Sequence, residues 1–465
     1  MITTRNLTHL TAILSIMAGA SMLASCSSSS SDKASTSQKP AATAPAPSKP
    51  APQPLPPGLA TGSLDDIDTA RQDNEVDRLY RRNRPVGTPL PLKVAILLPQ
   101  SGQAGAAGEI ILKAAQMAVF DSGQDRMTLM PYDTESTPAG ARAAAMAAEQ
   151  DGAQLVLGPL FGAHVQPVAQ IMSARSVPVL AFSNDHSAAG NGAAVLGLTP
   201  ENEVRRILGH ASMQGLQRIA AFLPDSPFGL LVADKLRELA PLSGLEAVRI
   251  THYPAGAFAD NQVLLDTARR FADYDARRAA LQREKANATG SALARLENLD
   301  TFGDPPFDAV LLAEPQDRLS TVAPLLAYYD VDPKRIQFLG LSRWYGEGLE
   351  REPTLINAVF PGPSPDEFEQ LMTRYVDRYG VYPGRLAALA YDAVAVAADL
   401  AGRVGSDGRI TSDMILQPDG YAAYFGAFRI QRDGTAERLL AIMRVTESGL
   451  VVADPAPLRF QPLLN

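Results

Sequence analysis

Lys93-Val-Ala-Ile-Leu-Leu-Pro99 leads, one residue later, into Ser101-Gly-Gln-Ala-Gly-Ala-Ala-Gly108, and this pair of stretches decides the fold. A short apolar run closed by proline is what a strand buried on both faces requires, because neither face can present polar side chains to water. The small residues that follow read as a loop, and residues 109–121 take up helical spacing. The same alternation then repeats. Residues 127–132 read as a strand, 138–150 as an Ala-rich helix, Leu155-Val-Leu-Gly158 as a strand, 165–175 as a helix and Pro178-Val-Leu-Ala-Phe182 as a strand. Residues 218–223, 246–250, 309–313 and 336–340 continue the series of strands. Repeated strand–helix units imply parallel sheets with helices on both faces. So many strands need more than one sheet, and the expected architecture is two α/β lobes.

Composition narrows the function. The chain has 465 residues, 46% of them hydrophobic and 20% charged, as in a globular protein. Its single cysteine is Cys26, so the part after it holds no disulfide, thiol nucleophile or cysteine-ligated metal. A net charge of −8 argues against nucleic acid or anionic lipid as a partner. Residues 27–63 are Ser, Ala, Pro, Lys and Thr with few large apolar groups, so burial cannot offset their ordering entropy. They read as a disordered tether of about 3.1 Å per residue when extended. Residues 64–84 are charged, with a short helix as the most that their few apolar points support, and no function is assigned to them.

Ahead of Cys26, Thr11-Ala-Ile-Leu-Ser-Ile-Met-Ala-Gly-Ala-Ser-Met22 is small and apolar and follows Arg5. That is the layout of a secretory signal. Leu23-Ala-Ser-Cys26 resembles the lipobox of bacterial lipoproteins. The resemblance implies a signal peptide over residues 1–25, lipid on Cys26 and a tether over 26–90, with two acyl chains giving stable attachment to a membrane. Ser27, where lipoproteins held at the inner membrane often carry Asp, favours the outer membrane, with the protein at the periplasmic face.

Val94-Ala-Ile-Leu-Leu-Pro-Gln-Ser-Gly102 resembles the opening of type 1 periplasmic binding proteins of the leucine-binding kind. Leu155-Val-Leu-Gly-Pro-Leu-Phe-Gly162, Val177-Pro-Val-Leu-Ala-Phe-Ser-Asn184, Asp225-Ser-Pro-Phe-Gly229 and Ala390-Tyr-Asp-Ala-Val394 agree in order and spacing. The likeness covers residues 91–445 and implies two Rossmann-like lobes joined by crossover strands, with a cleft between them. Lobe 1 is expected over 91–203 plus 363–440, and lobe 2 over 204–362 plus 441–465. The loop opening at Ser101 is expected at the cleft rim.

Amino-acid binders of this family hold the ligand's charged ends with groups after the third and fourth strands. Those positions fall here at Gly162-Ala-His164 and Ser183-Asn184-Asp185. Phe228 stands where the family has a tyrosine, and Ser342-Arg343-Trp344 where it has an acid. A zwitterion needs an anion and a set of donors, since an unpaired buried charge costs about 3–5 kcal/mol. Asp185 and Arg343 supply these only with reversed placement.

Gly158-Pro-Leu160, Pro178-Val-Leu-Ala-Phe-Ser-Asn184 and Leu341-Ser-Arg343 are similar to stretches of lipoprotein penicillin-binding-protein activators. That resemblance implies stimulation, by contact, of class A penicillin-binding protein synthases. A segment at about 266–304 intervenes between two strands, and 267–285 reads as one exposed charged helix, a docking element or a solvated decoration. The second reading is the solute-binding component of a branched-chain amino-acid-type ABC transporter, with a small amino-acid-like solute and an ABC permease as partners.

Other chemistry finds no foothold. Gly102 to Gly108 has G-x-x-G-x-x-G spacing and lacks the G-x-G turn of dinucleotide sites. The five histidines have no metal-ligand spacing, and no G-x-S-x-G elbow occurs. No catalytic residue, cofactor or metal is expected. Arg343-Trp344-Tyr345 holds the sole tryptophan, which reads equally as cleft wall or lobe interior.

Overall fold

A computed structural model describes residues 91–258, 261–346, 348–404 and 410–460. Cys26, the signal and the tether lie outside the described residues.

Five parallel strands form the first sheet: β1 (Leu92–Leu98), β2 (Met127–Asp133), β3 (Leu155–Leu157), β4 (Val179–Ala181) and β5 (Ala193–Val195), in the order β2-β1-β3-β4-β5. Strand β1 is buried on both sides, as its unbroken apolar run demands. Val94, Ile96 and Leu98 face one core and Ala95 and Leu97 the other. The helices α1 (Gly105–Asp121), α2 (Pro138–Gln150) and α3 (Gly162–Ser173) cover the faces. Helix α2 starts where Thr137 Oγ1 accepts from the Gly140 N–H at 3.0 Å, with Pro138 in the first turn.

Helix α1 begins at Gly105, earlier than the spacing from Glu109 predicts. The small residues that read as loop are its first turn. A Cβ at Gly108 would lie 2.0 Å from the Pro99 carbonyl oxygen, so only glycine lets the helix start hard against the strand end.

The chain then passes to a second sheet. There α4 (Pro200–Met213), β6 (Arg218–Asp225), α5 (Pro227–Leu242) and β7 (Glu246–Pro254) precede three further helices, α6 (Asn261–Phe271), α7 (Tyr274–Asn287) and α8 (Gly290–Glu297). Next come β8 (Ala309–Leu312), α9 (Gln316–Tyr328), β9 (Gln337–Leu339) and β10 (Val359–Gly362). Helices α10 (Pro365–Tyr379) and α11 (Arg385–Arg403) return to the first lobe and join its core, as does the hairpin β11 (Phe428–Ile430) and β12 (Ala436–Arg438). The last strands, β13 (Ala441–Thr446) and β14 (Gly449–Asp454), complete the second sheet in the order β14-β13-β10-β9-β8-β6-β7. Its two closing strands are antiparallel, an addition that repeated strand–helix units do not predict. Helices α4 and α5 cover one face, and α6 and α9 the other.

The charged stretch 267–285 is not one exposed helix. It breaks at Asp273, whose φ of 49° is left-handed, into the end of α6 and most of α7. Helix α6 buries Leu264, Ala268 and Phe271, and Phe271 packs between Phe222 and Phe307 at ring distances of 5.2 and 5.1 Å. Arg277, itself buried, donates to Gly303 O and Asp330 Oδ2, both at 2.7 Å. Its spread of charge conceals an inward stripe, so the first part of the segment is core and only α8 buries none of its residues.

Candidate functional site

The loops leaving the C-terminal ends of the strands in both sheets carry the candidate residues and form the two rims of the expected cleft. On the lobe 1 rim, Gly162, Ser183 and Asp185 converge. A Cβ on Gly162 would come 3.0 Å from Ser183 Oγ and 2.9 Å from Asp185 Oδ2. Ser183 Oγ accepts from the Asp185 N–H at 3.0 Å. Asp185 Oδ1 in turn accepts from the Ser187 N–H at 3.0 Å and the Ser187 hydroxyl at 2.6 Å. Asp185 therefore caps the short turn at His186–Ala188 and is already committed as an acceptor. His164 is buried edge-on against Phe161, with ring centroids 5.3 Å apart, and burial holds its imidazole below its usual pKa. Ser101 is exposed on the β1–α1 loop, its N–H on Asp133 Oδ1 at 3.2 Å and its carbonyl taking the Ser136 hydroxyl at 2.8 Å.

The lobe 2 rim is already satisfied, partly from within and partly by groups of lobe 1. Ser342 is buried, and its N–H donates to the carboxylate of Glu203. Its Oγ accepts from Arg385 Nη1 at 3.1 Å. Burial pushes the Glu203 carboxyl up in pKa, while Ser342 and Arg385 pull it back down. The Arg343 guanidinium lies 4.6 Å above the ring of Phe228, a cation–π contact on one wall. Trp344 is fully buried beside Phe360 and over Gly340, where a Cβ would sit 2.3 Å from the indole. Its place is the lobe interior. Tyr345 reaches the other lobe: its hydroxyl donates to Glu369 Oε1 at 3.2 Å and its ring meets Phe368 edge-on at 5.1 Å. Burial and Glu369 push that hydroxyl up.

Arg385 and Tyr345 thus fasten the two lobes across the cleft, since Arg385 and Glu369 belong to lobe 1 and Ser342 and Tyr345 to lobe 2. Arg385 opens α11 and remains accessible from the cleft, although enclosure by both lobes lowers its pKa. It borders a cavity of about 250 Å³ lined by Leu160, Phe182, Ser183, Asn184, Leu389 and Phe425. A wider hollow of about 560 Å³ lies on lobe 2 between the start of α9 and residues 348–355, with Arg343, Asp317, Arg351 and Glu352 on its walls. Among the described residues no group of His, Cys, Asp and Glu could hold a metal ion.

The sequence-predicted residues therefore divide. Ser183 and Asn184 share one cavity and Arg343 borders the other, whereas Ser101, Gly162, His164, Asp185, Phe228, Ser342 and Trp344 line neither. Sequence reasoning missed Glu203 and Arg385, and named Tyr345 only as part of the cluster Arg343-Trp344-Tyr345. The one local signal for Arg385 is a cation at the head of an Ala-rich helix whose next charge is Asp392.

Residues 91–449 match the sequence profile of the periplasmic binding protein family. The penicillin-binding protein activator LpoA of Glaesserella parasuis is 33% identical over 142 residues, 30% of this chain and 24% of that protein. The protein of the same name from Haemophilus ducreyi is 32% identical over 139 residues, 29% of this chain and 23% of that protein. The match thus spans about a quarter of these curated relatives. Among solved structures, a Rhodospirillum rubrum protein assigned to branched-chain amino acid ABC transport superposes with a TM-score of 0.62 at 18% identity, covering 78% of this chain and all of that one. A periplasmic ligand-binding protein of a branched-chain amino acid ABC transporter from Burkholderia xenovorans gives 0.56 at 12% identity, over 79% of this chain and 96% of that one. These two likenesses bear on fold alone. With the two-lobed parallel architecture and a profile match over most of its length, the chain belongs to the periplasmic binding protein family.

Proposed function

We propose that the protein is a non-catalytic regulator that acts by protein contact, similar to the penicillin-binding-protein activators, and works outside the cytoplasm on a lipid anchor at Cys26. One observation carries this reading. The lobe 2 groups that a charged solute would need are already engaged, Ser342 by Glu203 and Arg385, and Arg343 by Phe228. Partial identity to two activators supports it. No cofactor or metal enters the mechanism. The partner proposed is a class A penicillin-binding protein synthase. Co-purification with such synthases and a higher rate of glycan synthesis on adding the protein are the expected results; neither binding nor stimulation would remove the proposal.

The address is tested separately. Cys26→Ser should move the protein from the membrane fraction to the soluble one with its circular dichroism unchanged, and a variant that stays with membranes would overturn lipid anchoring. The outer membrane is the proposed site, because a long tether behind Cys26 suits a regulator that reaches across the periplasm.

The cavity beside Arg385 favours a second reading, solute capture for an ABC permease. A guanidinium carries five donors, and one Arg385 donor is on Ser342. A ligand at 100 times its Kd would stabilise the protein by about 2.7 kcal/mol. Thermal-shift screening against amino acids should stay flat if the first reading holds.

A further inference from the structure

Beyond the three places where the chain crosses between lobes, its last described residues make a fourth link. Strand β14 ends in lobe 2 at Asp454, and Phe460, six residues on, packs on lobe 1. There the Arg429 guanidinium lies 4.9 Å from the centre of the Phe460 ring, and a Cβ on Gly420 would sit 2.6 Å from Phe460 Cε2. Arg429 is itself held by Glu437 Oε2 at 2.7 Å on the β11–β12 hairpin. The near end is also anchored. Arg206 on α4 donates to Asp454 Oδ2 at 2.8 Å and to Pro455 O at 3.2 Å, and through Nε to Leu440 O at 2.7 Å, beside the third crossing. Between the anchors, Pro455 and Pro457 restrict the backbone. Six residues span at most about 20 Å, which bounds how far the two anchors can part while both hold.

We infer that residues 455–460 are a strap that limits hinge opening between the lobes. The crossings are covalent and permanent, whereas the strap is held at its far end by one aromatic ring against a cation and a bare glycine, and can be released. Opening the lobes must either stretch the segment or detach Phe460, so the range of the hinge is set outside the cleft. This inference does not depend on what the cleft or the partner is.

The test exploits the lack of cysteine after Cys26. In the full chain carrying Cys26→Ser, spin labels at Ala143→Cys on α2 and Ala279→Cys on α7, both exposed, report the distance between lobes by pulsed dipolar spectroscopy. Phe460→Ala should broaden that distribution and move its mean to longer distance. It should also speed amide exchange at Phe428–Ile430 about fivefold, the size expected for losing one cation–π contact. A second variant inserts three glycines between Pro457 and Leu458, which leaves Phe460 in place and slackens the strap. Broadening in both variants, with native circular dichroism, supports the inference. An unchanged distribution in both overturns it, and so does broadening with Phe460→Ala alone, which would make the ring a packing element and not a tether. Broadening with the insertion alone supports the strap and places its far anchor elsewhere than the ring.

Discussion

Asp392→Ala should cost about 3–5 kcal/mol of stability, the range for breaking a buried ion pair by removing one partner. Asp392 and Arg438 are almost wholly excluded from water, with Oδ2 accepting from Nη1 at 2.6 Å. Burial pushes the Asp392 carboxyl up in pKa, and Arg438 draws it back. Arg438 also donates to Leu196 O at 2.8 Å and Gly426 O at 3.2 Å and stacks over Phe428. It joins the end of β5, the middle of α11 and the hairpin at one point. Removing the carboxylate strands a guanidinium in that position, and the stranded charge is the source of the cost. The pair itself is worth far less, because desolvating two ions consumes most of their attraction. Adding Arg438→Met to an Asp392→Leu background should therefore recover more than half of the loss. Urea denaturation of both single variants and the double variant measures this cycle, and losses that simply add would show that the ion pair is not what Asp392 contributes.

Trp344→Ala should cost a comparable amount, about 3–5 kcal/mol for a fully buried large aromatic. The indole fills the space left by the absent side chain of Gly340 and packs on Phe360, so little can relax into the hole. Ser342 and Tyr345, on either side, make the contacts between lobes, and loss of the anchor should loosen both. Trp344→Phe should lose much less, because it keeps most of the ring and removes the indole N–H, which has no hydrogen-bond partner among the described residues. Far-UV circular dichroism follows each variant through denaturation. A loss below about 1 kcal/mol for the alanine variant would contradict the role of Trp344 as a core residue.

The sheets were legible wherever a single local rule governed them. Residues 93–99 read as a doubly buried strand, and 138–150 as an Ala-rich helix. Where two rules competed, reading was harder. Gly105 and Gly108 look like a loop by composition, yet Gly108 is there so that a helix can start against Pro99. Phe271 and Leu264 are too few among charges to reveal that α6 belongs to the core.

The cleft was legible in its rims and not in its pairings. Ser183 and Arg343 follow strand ends, which fixes them near the cleft. Nothing local ties Glu203 to Ser342 across 139 residues, or Arg385 to Ser342 across 43. The first contact exists only once most of the second sheet is in place, and the second only after the chain has returned to lobe 1. Trp344 was undecided for the same reason, since its partner Phe360 comes from the following strand.

The return of α10 and α11 to the first lobe has a consequence for the order of events during synthesis. All five strands of the first sheet have been made by Val195, but the helix that packs against α1 ends at Arg403, roughly 200 residues later. At about 5–20 residues per second, that interval lasts some 10–40 s. Throughout it Val94, Ile96 and Leu98 have only α1 from a core that α10 and α11 must complete, while α2 and α3 already cover Ala95 and Leu97. The second lobe, interrupted only by its final hairpin, can near completion first. The half of the molecule that is made first is thus the half that must wait.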